Sequence, residues 1–328
     1  MSVLVVGGAG YIGSVMVEKL LNADERVVVL DNLSRGHRSA VHSDAVFVQG
    51  DMADTSLVKS ILLEHRCDVV MHFSALSLVG ESVTKPLMYY ENNVGRGMAL
   101  VRAMLDAGVT RMIFSSTAAV YGTPAQIPIM ETTPPNPINP YGRSKYQFEQ
   151  FLADCAQSED LCYAALRYFN AAGASDLFGE DHRPETHLVP LILQVAAGKR
   201  DRLAVYGKDY DTPDGTCIRD YIHILDLAEA HLLAMKKLRK SESASMVFNL
   251  GNNRGFSVLD IIRVAEKVTG KKIPFTVGER REGDPPVLVA SSDRIRQELG
   301  WTPRFPEVEQ IVESAWRWHN AHPNGYPE

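Results

Sequence analysis

Cysteine is scarce, basic charge is not in excess, and long apolar runs are missing; each absence removes a class of protein. The four cysteines, Cys67, Cys155, Cys162 and Cys217, form no Cys-x-x-Cys pair and have no histidine at a metal-ligand interval. Neither a disulfide framework nor a zinc site is indicated, and reduced, buried thiols and no metal are expected. Asp and Glu number 40 against 34 Lys and Arg, a formal net charge of -6. That balance offers no global basic field to nucleic acid, although a few arginines can still grip one small anion. No segment approaches the roughly 18 apolar residues that would cross a bilayer. Met1 leads straight into Val3-Leu4-Val5-Val6, without the basic start, long apolar stretch and cleavage site of a secretory leader. A cytoplasmic enzyme with no membrane partner is expected. Internal repeats and low-complexity tracts are also missing.

What is present is an ordinary globular composition, 45% hydrophobic and 23% charged over 328 residues. That length exceeds what one hydrophobic nucleus usually organises, so two lobes with a ligand cleft between them are expected. Val27–Leu30, Val46–Gln49, Val69–Phe73, Met112–Ser115 and Ala164–Arg167 read as buried strands separated by amphipathic helical stretches. The rhythm predicts an α/β fold, a doubly wound, mostly parallel Rossmann sheet that binds ligands beyond its strand C-termini. After about Asn170 it breaks into loop-rich sequence at Gly173–Pro184, Tyr206–Thr216 and Arg280–Pro286. Residues 1–170 are thus expected to form the dinucleotide domain and 171–328 mainly a second, smaller α/β substrate lobe. Apolar runs at Ile222–Leu233 and Met246–Leu250 are expected to bring 218–250 back to the first domain. Glu307 to His319 has the spacing of a closing helix.

Directly after the first apolar run stands Gly7-Gly8-Ala9-Gly10-Tyr11-Ile12-Gly13. Glycines at Gly7, Gly10 and Gly13 allow a sharp turn and close approach to a pyrophosphate, while a helix starting near Tyr11 aims its free N–H groups at that charge. Asp31 follows at the end of the second strand, where a carboxylate can accept from the adenosine ribose hydroxyls. It would repel a 2'-phosphate unless Arg35 compensated, so NAD is favoured over NADP. The competing reading is a glycine-rich turn and an acidic helix cap, which strand, turn, helix, strand and acid in register make the weaker one.

Pro140-Tyr141-Gly142-Arg143-Ser144-Lys145 opens an amphipathic stretch, Tyr146–Ala156, with Tyr141 and Lys145 on one helical face. The Lys145 ammonium is expected to stabilise the Tyr141 phenolate, to make it a usable base, and to reach the nicotinamide ribose. Tyr-x-x-x-Lys alone is a weak signal, but this one follows Phe114-Ser115-Ser116-Thr117, an apolar strand ending in hydroxyls where the sheet should hold its ligand. Thr117 can share a substrate proton network; ordinary turn and capping chemistry is the other reading of these hydroxyls.

Gly7–Gly13, Asp31-Asn32-Leu33, His72-Phe73-Ser74-Ala75, Gly80-Glu81-Ser82, Asn92-Asn93, Tyr141–Lys145, Arg167-Tyr168-Phe169-Asn170, Ile218-Arg219-Asp220-Tyr221-Ile222-His223 and Arg280-Arg281-Glu282-Gly283-Asp284 together resemble the UDP-glucose 4-epimerases of the extended short-chain dehydrogenase/reductase family. The resemblance covers essentially the whole chain. It implies NAD contacts from Tyr11, Ile12, Asp31, Asn32, Asp51, Met52, Phe73, Ser74, Ala75, Asn92, Ser115, Tyr141, Lys145 and Tyr168. It implies that Thr117 and Tyr141 meet the sugar, and that Asn170, Leu188, Tyr206, Arg219, Arg281 and Asp284 hold a UDP-hexose. Arg219 and Arg281 suit a pyrophosphate and Asp284 a ribose, while ion pairs of the arginines with Asp220 or Glu282 are the alternative. Leu288 matches a position that sets sugar size in such enzymes, and leucine leaves acceptance of N-acetylated sugars open. Ser77 stands where some members carry a lysine, and His187 where some carry an amide.

The resemblance further implies a cycle in which Tyr141, helped by Thr117, takes the C4 hydroxyl proton as hydride leaves for NAD, the transient 4-keto sugar turns about its pyrophosphate link, and both return on the opposite face. A nucleotide-sugar 4,6-dehydratase would need acids directly after Thr117, where Ala118 and Ala119 stand; a non-catalytic NAD-binding protein would not need to keep both Tyr141 and Lys145. The resemblance also implies a homodimer built on the helical stretches at Met88–Ala107 and Tyr146–Ala156.

Overall fold

The computed structural model describes residues 1–241, 245–281 and 284–327. The chain opens with β1 (Ser2–Val6), α1 (Tyr11–Leu21), β2 (Arg26–Asp31), β3 (Val46–Gln49), α2 (Thr55–Glu64) and β4 (Cys67–His72). It continues through α3 (Val79–Thr84), α4 (Pro86–Tyr90), a π-helical turn at Glu91–Arg96, α5 (Gly97–Asp106), β5 (Arg111–Thr117), α6 (Pro140–Ser158) and β6 (Cys162–Tyr168). Then come β7 (Asn170–Ala172), α7 (Leu188–Ala196), β8 (Leu203–Tyr206), β9 (Ile218–His223), α8 (Ile224–Arg239) and β10 (Ser245–Leu250). The remainder is β11 (Gly255–Ser257), α9 (Val258–Thr269), β12 (Phe275–Gly278), β13 (Val287–Leu288), α10 (Asp293–Leu299) and α11 (Val308–Ala321).

Seven strands form one parallel sheet in the order β10-β6-β5-β4-β1-β2-β3. Such a sheet is covered on both faces, so its central strands read as continuous apolar runs rather than alternating ones. β1 is buried along its whole length: Val3 and Val5 enter the core beneath α1 and α8, Leu4 and Val6 the core beneath α2, α5 and α6. The strand order reverses between β1 and β4, and the crevice outside their C-terminal ends is where such sheets take ligands. The two loops there touch: a Cβ on Gly7, whose φ is +83°, would lie 2.7 Å from the Ser74 nitrogen. A Cβ on Gly13 would lie 2.1 Å from the Gly7 carbonyl oxygen. Gly7 and Gly13 are therefore required by the close packing of the turn against α1 and the loop after β4.

The second lobe has a core of α7, α9 and α11 packed over β8 and β9. β9 pairs with β7, β11 and β13, and β8 with β12. The expected return of 218–250 to the first sheet is corrected in part. β10 joins its edge in parallel beside β6, and α8 packs on α1, but β9 belongs to the second sheet, because its backbone finds its hydrogen-bonding partners there. Phe73, read as a strand residue, follows β4 and tilts its ring against His231 with centroids 5.2 Å apart. The closing helix is α11. No helix among the described residues is long and apolar enough to cross a membrane.

Gly13→Ala is expected to lower the free energy of unfolding by about 1–3 kcal/mol, since the clashing atom is backbone and cannot swing away. Urea unfolding measures it, and a variant as stable as its parent would show that α1 can shift without cost.

Candidate active site

A cavity of about 1070 Å³ runs from the C-terminal edge of the parallel sheet into the second lobe. Gly7, Gly10, Tyr11, Ile12 and Gly13 line one end. A Cβ on Gly10 would meet only the Gly7 carbonyl, at 3.5 Å, so the N-terminus of α1 opens onto free space where an anion can approach its N–H groups. Asp31 closes the same end and also locks the loop: its carboxylate accepts from Ala9 N–H at 3.0 Å and Leu33 N–H at 2.8 Å. Burial pushes that carboxyl up and these two N–H groups draw it back. Arg35, the group that could have admitted a 2'-phosphate, is paired with Glu81 at 3.2 Å. Asn32, Phe73, Ser74, Ala75, Asn92, Ser115 and Tyr168 line the cavity as well. Asp51 and Met52 do not: Asp51 binds Arg96 and accepts from Asn32 at 3.2 Å, and Met52 is buried in the core with Leu4 and Val28. The fit to a dinucleotide thus rests on the open helix terminus and the Asp31 carboxylate at the cavity's end.

The wall bearing Thr117, Tyr141 and Lys145 forms where β5 ends and α6 begins. Pro140 at the first helical position and Asn139 as cap, accepting from Gly142 N–H at 2.9 Å, start α6 so that Tyr141 lies in its first turn. Burial pushes the Tyr141 phenol up, and a hydrogen bond with the Thr117 hydroxyl draws it back down. The expectation that Lys145 would lower this phenol needs correction. The Lys145 ammonium donates to the Ser115 carbonyl at 2.5 Å and lies 4.6 Å from the centre of the Phe114 ring. A spacing of four puts two residues on one helical face, yet the lysine stem here runs to the strand end. Burial also brings the Lys145 amine down to about 7, against the pull of Glu149.

Beneath this wall lies a network that sequence reasoning missed. Arg167 on β6 donates to Glu149 on α6 at 3.1 and 2.6 Å and to the Tyr121 hydroxyl at 2.8 Å. Ser116 donates to the same carboxylate, and Tyr121 passes the chain to Asn249 at 2.7 Å. Arg167 had been read only as part of a family motif. Pairing an arginine and a glutamate so far apart in sequence requires the sheet register. His72, also in a quoted motif, is a neutral core residue: it is buried against Phe114 and Phe148, and burial pushes it down to about 3.

At the far end, Asn170, Leu188, Tyr206, Arg219, Arg281, Asp284 and Leu288 all line the cavity. Arg219 pairs with Asp284 and donates to the Pro285 carbonyl at 2.7 Å. Two residues assigned to separate jobs therefore hold one another. Asp220, the alternative partner for Arg219, is buried and accepts from Asn252 N–H at 2.7 Å and Ala290 N–H at 3.1 Å. Burial lifts its carboxyl to about 7 in spite of these contacts. Arg281 stacks 4.0 Å over the Tyr206 ring, and Glu282 and Gly283 lie outside the described residues. Asn170 donates to the Asp220 carbonyl at 2.9 Å. Leu288 packs beside Ala118, Tyr121 and Phe169. Ser77, Glu180, His182 and His187 also line the cavity, and Glu185 clusters with the last three. Burial draws His187 down but the two carboxylates outweigh it, lifting it to about 10.

With this geometry in hand, comparison with known proteins is direct. A family model described as the NAD-dependent epimerase/dehydratase family matches residues 3–251. The UDP-glucose 4-epimerase of Halalkalibacterium halodurans is 52% identical over 99% of this chain and 98% of its own. That of Streptococcus mutans is 51% identical over 100% and 99%. The crystal structure of UDP-glucose 4-epimerase from Brucella ovis with NAD superimposes with a TM-score of 0.93 at 45% identity, covering 97% of this chain and 98% of that one. The Bifidobacterium longum enzyme with NAD+ and UDP gives 0.95 at 38% identity, covering 99% and 100%. The chain belongs to the NAD-dependent epimerase/dehydratase family, in its branch of UDP-glucose 4-epimerases.

Proposed function

We propose that this cavity interconverts UDP-glucose and UDP-galactose by inverting C4 of the hexose, with NAD retained between turnovers. The observation that carries the reading is the Thr117–Tyr141 hydrogen bond in one cavity with an anion-ready helix terminus and with Arg219 and Arg281. Tyr141 takes and returns the C4 hydroxyl proton, and Thr117, already bonded to the phenol, carries part of that network. The chemistry that NAD supplies when bound is reversible storage of the C4 hydride, through a transient 4-keto sugar. Gly7, Gly10, Tyr11, Ile12, Gly13, Asp31, Asn32, Phe73, Ser74, Ala75, Asn92, Ser115, Lys145 and Tyr168 would hold it, with Asp51 and Met52 behind its outer rim.

Inversion requires the nucleotide to stay while the sugar turns. Asn170, Leu188, Tyr206, Arg219, Arg281 and Asp284 are the nucleotide's grip, and Asp284 must exchange part of its contact with Arg219 when a diphosphate arrives. Leu288, beside Ala118, lines the sugar's space. The dehydratase reading is disfavoured by Ala118 and Ala119, which line the cavity without an acid. Assembly as a homodimer through the helical stretches at Met88–Ala107 and Tyr146–Ala156 is supported by Met98, an exposed apolar side chain 44% accessible within the first of them. A cytoplasmic setting is supported by Cys67, Cys155 and Cys217, which stand as thiols outside any disulfide.

Purified protein given UDP-galactose, without added NAD, is expected to yield UDP-glucose by chromatography. The N-acetylated pair, assayed alongside, reads how much room Leu288 leaves. Accumulation of a 4-keto-6-deoxy sugar would overturn the epimerase reading. Tyr141→Phe should lower kcat by about 10²- to 10⁴-fold with the nucleotide still bound; full turnover in that variant would remove Tyr141 from the mechanism.

Lys145 carries a pH signature. Its amine, ordinarily at 10.5, sits at about 7 in the folded chain. Below about pH 7 folded and unfolded chains both hold the proton, and the fold bears the whole desolvation cost; as pH rises towards the unfolded value the cost fades by about 1.4 kcal/mol per pH unit. Any stability advantage of Lys145→Met over the parent in urea, both freed of NAD, should shrink between about pH 6.5 and about pH 9. The lost bond to the Ser115 carbonyl offsets part of that advantage, so the slope rather than the absolute difference is the test. A pH-independent difference would mean that Lys145 is not desolvated.

A further inference from the structure

The loop from β7 to α7 gathers Glu180, His182, Glu185 and His187, a Glu-x-His-x-x-Glu-x-His spacing, so that one ligating atom from each lies within 4.8 Å of the others. The imidazole Nδ1 of His182 stands 3.1 Å from Glu180 Oε1 and 3.8 Å from Glu185 Oε2. The Nδ1 of His187 stands 2.9 Å from Glu180 Oε1 and 2.8 Å from Glu185 Oε1. Four ligands at zinc's usual bond length of about 2.0–2.1 Å define a tetrahedron with edges of about 3.3–3.4 Å. Three of these separations fall inside that edge and the fourth, to the other Glu185 oxygen, falls outside it.

Two details separate this cluster from a chance group of ion pairs. Glu185 is held by two backbone N–H donors on one oxygen, from Thr186 at 2.7 Å and His187 at 2.8 Å. Its other oxygen, Oε2, is buried and has no hydrogen-bond partner among the described residues, on a side chain only 6% accessible. The carboxylate is thus oriented by the backbone while a charged acceptor, costly to leave unsatisfied, points at the histidines. The Glu180 side chain is likewise only 6% accessible, and its Oε1 serves both rings.

We propose that Glu180, His182, Glu185 and His187 form a structural site for one divalent transition-metal ion with a preference for tetrahedral nitrogen and oxygen ligands, Zn²⁺ being the best match. Imidazole and carboxylate together suit zinc, and four protein ligands leave no open position for chemistry. The site's neighbours give it a mechanical role. His182 meets the edge of Tyr11 at a centroid distance of 6.2 Å, Tyr11 donates to the Gly173 carbonyl at 2.7 Å, and His187 precedes the first residue of α7, Leu188. A metal there would tie the start of α1, at the dinucleotide end, to the start of α7, at the sugar-nucleotide end. The proposal does not depend on the assignment of the catalytic residues.

Tag-free, full-length protein loaded with ZnCl2 and desalted is expected to retain one zinc per chain by elemental analysis, with a raised melting temperature. His182→Gln and Glu185→Gln, each checked for a native circular dichroism spectrum, should lose the metal and the thermal shift. Loss of an outer-shell partner alone weakens zinc sites by about 10- to 100-fold, so removing a ligand must cost at least that. Cobalt(II) on the unaltered protein gives an independent reading that needs no variant: the strong visible bands of a tetrahedral ion are expected. A protein that retains no zinc after desalting, variants that bind it as well as the parent, or the weak spectrum of an octahedral cobalt ion would each overturn the site. None of these readouts is turnover, so a failure here leaves the epimerase reading standing, and a failed sugar assay leaves the zinc site standing.

Discussion

A guanidinium and a carboxylate buried together, Arg167 and Glu149, hold the reactive wall of this molecule in shape. Each side chain is 6% accessible, and removing one member of such a pair strands a charge in low dielectric, at a cost of about 3–5 kcal/mol. The pair spans β6 and α6, and Ser116 ties β5 to the same carboxylate. Thr117 is the next residue on that strand, and Tyr141 begins the helix that carries Glu149. The relative position of phenol and hydroxyl is therefore set by a polar network in the interior, with every strong donor and acceptor answered.

A second constraint operates where β1 and β4 deliver their loops. Gly7 packs against the Ser74 backbone and Gly13 against Gly7 itself, while Asp31 accepts from the loop's own Ala9. The carboxylate that lines one end of the cavity thus also braces the glycine turn beside it. On the far side of the cavity the logic differs: Arg219 and Asp284 satisfy each other and Arg281 rests on Tyr206.

How much of this could be read beforehand depends on how local the signal was. The glycine loop, Asp31 and the Tyr141–Lys145 pair announce themselves because their chemistry is carried by neighbours within a turn or a strand. The Arg-Tyr-Phe-Asn segment was legible only as a pattern; its parts go different ways, Arg167 into the network, Tyr168 to His231, Phe169 into a small core and Asn170 to Asp220. The Glu-x-His-x-x-Glu-x-His spacing was in plain view, but attention to cysteines passed over it, and histidines in a loop carry no periodicity to flag them.

By itself the sequence determined the parallel sheet, the anion-ready turn after β1, the choice of a cofactor without a 2'-phosphate, and the helix bearing Tyr141, because burial pattern, glycine placement and capping are properties of short segments. Only the tertiary structure decided that Lys145 turns to the Ser115 carbonyl while Thr117 meets the phenol, that β9 leaves the first sheet while β10 joins it, and that Arg219 chooses Asp284 over its neighbour Asp220. Those outcomes depend on which buried charges and strand edges find partners across tens or hundreds of residues. That competition is settled by packing, and no local propensity encodes it.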